Sequence, residues 1–169
     1  METVEKHLLE WLRDAHAMEQ QAEQMLKSQA SRIENYPQIR QRIEQHLDQT
    51  RSQSKRVESC IERYDKSTSF TKDATGKMAA MAQAVGGVFS SDEIVKGCIA
   101  SYAFEHMEIA SYKALIATAE KVGDSETKRI CEEILAEEEA MAAWLEQHAP
   151  QTIDEYFERD MHPQESSKR

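Results

Sequence analysis

Apolar residues recur along this chain at spacings of three and four, the period of a helix that buries one stripe. Val4, Leu8, Leu12, Ala15, Ala22, Leu26 and Ile33 mark a first helix from about Glu2 to Glu34, which Asn35-Tyr36-Pro37 ends. A second runs from about Gln38 to Asp65 with Ile39, Ile43, Leu47, Val57, Ile61 and Tyr64 on its stripe, and Lys66-Ser67-Thr68-Ser69 breaks it. A short helical piece is expected near residues 74–85, before Gly86-Gly87. Ser90 and Glu93 have the spacing of a capping box and open a third helix, from about Asp92 to Lys121. Its stripe is Ile94, Val95, Cys98, Tyr102, Ile109, Tyr112, Leu115, Ile116 and Ala119, and Gly123 stands where a C-terminal cap belongs. The fourth, from about Ser125 to His148, uses Ile130, Ile134, Met141, Trp144 and Leu145. Pro150 follows it, then a short C-terminal helix from about Ile153 to Met161 and a polar tail, 162–169, expected to be disordered.

Four long amphipathic helices in one domain have an economical arrangement, a bundle with the stripes turned inward, spanning residues 1–161. The short links at Asn35–Pro37 and Val122–Asp124 make the first and last pairs antiparallel hairpins. Residues 66–91 are enough chain to travel back along a helix of roughly 40 Å. The second and third helices can therefore run parallel, joined by one long crossover. This wiring is the all-α, ferritin-like four-helix bundle.

Composition agrees with the helices. Only 5 Gly and 3 Pro occur among 169 residues, too few for an all-β sandwich or barrel. Lys and Arg number 21 against 31 Asp and Glu, a formal net charge of −10 that repels phosphate backbones and anionic lipid, so nucleic acid and membrane surfaces are excluded as partners. No uninterrupted apolar run is long enough to span a bilayer, and Met1 to His7 lacks the order of a secretory signal. A cytoplasmic location is expected. Cys60, Cys98 and Cys131 form no C-x-x-C pair and read as packed thiols of a reducing compartment.

The inward stripes are interrupted by carboxylates. On the first helix the position between Ala15 and Ala22 holds Glu19; on the third, Glu105 and Glu108 share the inner face; on the fourth, Glu138 stands between Ile134 and Met141. The second helix is polar on its inner side at His46, Gln49, Thr50 and Gln53. Each interruption falls near the middle of its helix, and midpoints of a bundle meet at one depth. Removing one carboxylate from water costs several kcal/mol, against a total stability of roughly 5–15 kcal/mol, so these groups need neutralising. Three solutions exist. Divalent iron or manganese suits a carboxylate and imidazole set; protonation follows when desolvation and crowding raise the carboxyl pKa; and Arg13, Arg56, His16 or His106, or water entering a loose bundle, could compensate the charge.

No other chemistry competes with this level. Glu132-Glu133 and Glu137-Glu138-Glu139 read as a solvated face from which only Glu138 points inward. Met78, Met81, Met107 and Met141 read as core filling or partner surface. There is no Gly-rich phosphate loop, no G-x-S-x-G elbow and no nucleophile with a general-base partner, so no catalytic side chain is assigned.

Asp14-Ala15-His16-Ala17-Met18-Glu19-Gln20, His46-Leu47-Asp48-Gln49-Thr50 with Gln53, Glu105-His106-Met107-Glu108-Ile109-Ala110-Ser111-Tyr112 and Leu135-Ala136-Glu137-Glu138-Glu139 resemble the YciE/YciF-type ferritin-like bacterial proteins. The resemblance covers about residues 5–148 and implies a ferritin-like bundle, a homodimer and an association with stress response. In the wider superfamily the Glu105-x-x-Glu108 pair and Glu138 are similar to the third- and fourth-helix ligands of rubrerythrin, with Glu19 at the first-helix position. If metal binds, the resemblance implies Glu19 and Glu108 bridging two ions, with Glu105, Glu138 and His46 terminal, and iron or peroxide chemistry. The chain departs from that pattern in lacking any Glu-x-x-His pair, in carrying the neutral Gln49 in a His-x-x-Glu frame, and in placing Met141 where a last histidine is sought. The competing reading is a non-catalytic homodimeric interaction protein with a degenerate, metal-free core, using Phe70, Met78, Met81 and Phe89 as its surface.

Overall fold

Four helices carry the chain in a computed structural model that describes residues 2–64, 91–162 and 164–168: α1 (Glu2–Arg32), α2 (Pro37–Tyr64), α3 (Glu93–Val122) and α4 (Ser125–Asp160). The piece expected near residues 74–85, Ser90 of the capping box, and Phe70, Met78, Met81 and Phe89 lie outside the described residues. Among the described residues there is no strand, and no helix is long and apolar enough to cross a membrane.

Neighbouring helices are antiparallel. Arg51 on α2 pairs with Glu23 on α1. Toward α3, Arg32 and Gln29 near the end of α1 meet Glu93, Gly97 and Ser101 near the start of α3. Toward α4, Arg63 late in α2 meets Asp124 at the start of α4, while Arg56 meets Glu137 farther along. It follows that α2 and α3 lie diagonally and run parallel, as the long crossover expectation requires.

The turn between α3 and α4 is built from local chemistry. Gly123 has φ 77°, where a side chain would be strained, and its N–H closes α3 onto Ala119 and Glu120. Asp124 then caps α4 by accepting from the Thr127 N–H at 3.0 Å. At the other end α4 continues through Pro150, so the short helix expected at 153–161 is the distal part of α4 rather than a separate element. Proline removes one N–H, but Glu146, whose carbonyl loses that donor, is solvent-exposed. Trp144 stacks on His148 at 4.0 Å, Thr152 Oγ1 donates to His148 O at 3.0 Å, and Thr152 is buried, which holds the helix across the proline.

The described part of the C-terminal tail, residues 164–168, makes hydrogen bonds with the bundle. Ile94 N–H donates to Lys168 O at 2.9 Å, and Tyr36 Oη donates to Ser167 O at 2.6 Å. Residues 164–168 thus satisfy a free N–H in the first turn of α3, a need no pattern of hydropathy encodes.

Apolar packing falls into two clusters. One gathers Leu8, Leu12, Val57, Ile61, Tyr112, Leu115 and Ile134. The other gathers Leu26, Ile33, Tyr36, Ile43, Ile94, Met141 and Leu145. Each fully buried leucine of this kind contributes about 1.5–3 kcal/mol. Between the clusters lies a polar level.

Candidate metal centre

Glu19, His46, Gln53, Glu105, Glu108 and Glu138 are each at most 1% exposed, so every helix sends at least one polar side chain to this level. Heptad-like spacing explains the placement: Glu19 continues the line of Leu12, Ala15 and Ala22, and Glu138 that of Ile134 and Met141. Glu105 and Glu108 are one turn apart on the buried face of α3.

His46, Glu105, Glu108 and Glu138 each present one ligand atom, and these atoms all lie within 4.8 Å of one another. His46 Nε2 stands 3.2 Å from Glu105 Oε2 and 3.3 Å from Glu138 Oε2. These are charge contacts without aligned hydrogen bonds: His46 Nε2, Glu105 Oε2 and Glu138 Oε2, with Glu108 Oε1 and Glu19 Oε2, are buried atoms with no hydrogen-bond partner among the described residues. The other ring nitrogen of His46, Nδ1, is 3.1 Å from Gln49 Oε1. Facing a carbonyl oxygen, Nδ1 carries a hydrogen, which turns Nε2 toward the carboxylates in the orientation a ligating imidazole uses. Glu19 is at the same level but outside the set of four, its Oε1 accepting from the Tyr112 phenol.

Burial and mutual repulsion keep protons here. Burial first, and then Glu138, push Glu19 up to about 8, against the pull of Tyr112 and His46. Burial raises Glu105 to about 7, opposed by His46. Glu108 is pushed well above the carboxylate range by burial and by Glu138, Glu19 and Glu105. Burial works against a charged His46, but Glu105 and Glu138 outweigh it and raise the ring to about 10. The level thus holds its own counter-charge in His46, while burial favours the neutral, protonated form of Glu19 and Glu108. Three of the four cations considered from sequence have other partners: Arg56 binds Glu137, His106 is exposed against Tyr102, and His16 faces Glu58.

The donor set fits a divalent ion. Three carboxylates and an imidazole converging with unsatisfied atoms supply the hard oxygens and single nitrogen that iron or manganese accept, and a cation would replace the protons that now separate them. Met141 is a core residue with no exposure, so the last histidine position is apolar packing.

Three participants were not legible from sequence. Tyr112 reads as part of an apolar stripe, yet a buried phenol needs an acceptor and stands one turn beyond Glu108; that rule could have found it. Gln53 was visible only as a polar seam position; its Nε2 donates to both Glu138 Oε1 and Glu137 Oε2, the latter at 2.8 Å. Glu137, expected to be solvated, is half-buried and clamped by Gln53 and Arg56. All three cysteines are free, and Cys60 and Cys131 are buried.

Comparison with known proteins places the molecule. A family described as Domain of unknown function (DUF892) matches residues 3–158. Protein YciF of Escherichia coli (strain K12) is 28% identical over 151 residues, covering 83% of this chain and 86% of that protein. A crystal structure of a protein from Xanthomonas campestris pv. campestris is similar with a TM-score of 0.80 at 40% identity, over 94% of this chain and 99% of that one. The crystal structure of the E. coli stress protein YciF has the same fold, with a TM-score of 0.80 at 24% identity over 91% of this chain and 99% of that one. The chain belongs to the DUF892 family of YciE/YciF-type proteins.

Proposed function

We propose that this is a ferritin-like, stress-associated protein of the cytoplasm that binds one or two divalent iron or manganese ions at the middle of its bundle and acts as a homodimer. The observation that carries the reading is the convergence of His46, Glu105, Glu108 and Glu138 within 4.8 Å, with buried oxygens left unsatisfied. Glu105, Glu138 and His46 are assigned as terminal donors. Glu108 would hold the metal with them, and Glu19, at the same level, would be a further carboxylate donor through its unpaired Oε2. Iron bound there would supply iron oxidation or peroxide disposal. Tyr112 orients Glu19, Gln49 fixes the His46 ring, and the two apolar clusters exclude water on either side. Stress association rests on the relative named as a stress protein.

One observation favours a second reading, a metal-free interaction protein: the α2 positions beside His46 are the neutral amides Gln49 and Gln53, which lower the anionic charge available to two ions. Anaerobic loading with ferrous ion followed by metal analysis separates the two. At least one ion per chain, lost in Glu108→Ala, is expected. A stoichiometry near zero would exclude the metal reading and leave the second.

A further inference from the structure

A buried ligand set is useful only if a cation can reach it, and the polar contacts between α2 and α4 show where. Two side chains carry the polar network from the core toward solvent. Gln49, through His46, is neutral and leads to no carboxylate among the contacts described. Gln53 bridges the fully buried Glu138 to Glu137, whose side chain is 28% exposed. Arg56 Nη2 holds the same Glu137 oxygen at 2.5 Å and closes the outer side, with Glu133 farther off at 4.0 Å. The chain of groups from solvent to core is therefore Arg56, Glu137, Gln53, Glu138.

The amide in this chain has two uses. Its NH2 lies between Glu137 and Glu138 and donates to an oxygen of each. Its own Oε1 is buried with no hydrogen-bond partner. A divalent ion favours the opposite orientation. Rotating the amide about its last bond would set a hard carbonyl oxygen beside the two carboxylates, at no change in volume, and give the ion three oxygen donors in transit.

We propose that divalent cations enter the bundle between α2 and α4, docking on Glu137 when Arg56 releases it and passing inward over the Gln53 carbonyl to Glu138. This rests on the metal reading above. It assigns Glu137 a task in loading, and no place among the final ligands.

The test follows uptake of cobalt(II) by chelator-treated full-length protein in a stopped-flow instrument, reading the visible absorption of bound cobalt, with final stoichiometry measured separately. Glu137→Gln keeps an acceptor oxygen for Gln53 and removes the charge; it should slow uptake about tenfold, since charge at the mouth governs encounter, and leave the stoichiometry unchanged. Arg56→Gln frees Glu137 and should quicken uptake about threefold. Glu139→Gln removes a carboxylate of the same helix that pairs with Lys113 on α3, away from the proposed mouth, and should load at the wild-type rate. Wild-type rates in both the Glu137 and Arg56 variants, with full final binding, would overturn this entry route and spare the metal site. Loss of stoichiometry in Glu137→Gln would overturn it by making Glu137 a ligand. No cobalt in the wild type at equilibrium would remove the metal site, and the route with it.

Discussion

The phenol of Tyr112 donates its hydrogen to Glu19 Oε1 across the α1–α3 interface, joining two side chains with no exposed surface. Among the described residues the other Glu19 oxygen, Oε2, has no hydrogen-bond partner, and Tyr112 also belongs to the apolar cluster below it. The residue therefore fastens the polar level to the hydrophobic one.

Tyr112→Phe removes the hydroxyl and leaves Glu19 buried with neither oxygen paired. Stranding a buried acceptor costs about 1–3 kcal/mol. Urea denaturation of metal-free protein should show a loss of that size with an unchanged slope, and the loss should shrink in the double variant Tyr112→Phe, Glu19→Gln only if the pair is coupled. Additive effects would contradict it.

Metal and stability should be linked. A ligand bound only by the folded chain at 100 times its Kd adds about 2.7 kcal/mol, so melting of chelator-treated protein should rise on adding ferrous or manganous ion. Because Glu108 holds its proton well above the carboxylate range, Glu108→Gln should leave the metal-free protein within about 1 kcal/mol of wild type. The same variant should lose the metal-induced increment. A variant that melts lower yet still responds to metal would move the ligand elsewhere.

Asp124 gives a dependence on pH from a site far from the metal level. Burial opposes its charge, but donors from Thr127, Tyr64 and Arg63 hold its pKa well below the carboxylate range. A depressed carboxyl contributes stability above its unfolded pKa and loses it as pH falls through the folded value. Asp124→Asn should therefore cost about 1–2 kcal/mol at neutral pH. Its gap from wild type should hold down to about pH 4 and narrow below that. A gap that stays constant to pH 2 would show that charge is not what Asp124 contributes.

Pro150 lies inside α4 and leaves Glu146 O without its helical donor. Proline in a helix interior costs about 3 kcal/mol relative to alanine, of which solvation at this exposed position recovers part. Pro150→Ala should raise stability by about 1–2 kcal/mol, a shift of about 2–4 °C per kcal/mol for a domain of this size. No gain would indicate two helices meeting at a joint instead of one passing through.

The four long helices, their antiparallel hairpins and the parallel second and third helices were legible because the period of apolar residues and the length of the links suffice to read them. The break assigned at Pro150 was not, since local propensity favours a stop and only the packing of Trp144, His148 and Thr152 carries the helix on. The tail was unreadable for a related reason: its backbone carbonyls, not its side chains, meet Ile94 and Tyr36.

That Glu19, His46, Glu105, Glu108 and Glu138 occupy one depth of a four-helix core follows from their spacing along the chain, because a helix converts spacing into face and height. Which of them meet follows from the packing of the helices. It drew His46, Glu105, Glu108 and Glu138 into one set, tied Glu19 to Tyr112, and brought Glu137 to Gln53 and Arg56. Those choices depend on side-chain rotation and on distances between helices, and both are set by packing against chain that lies far away in sequence.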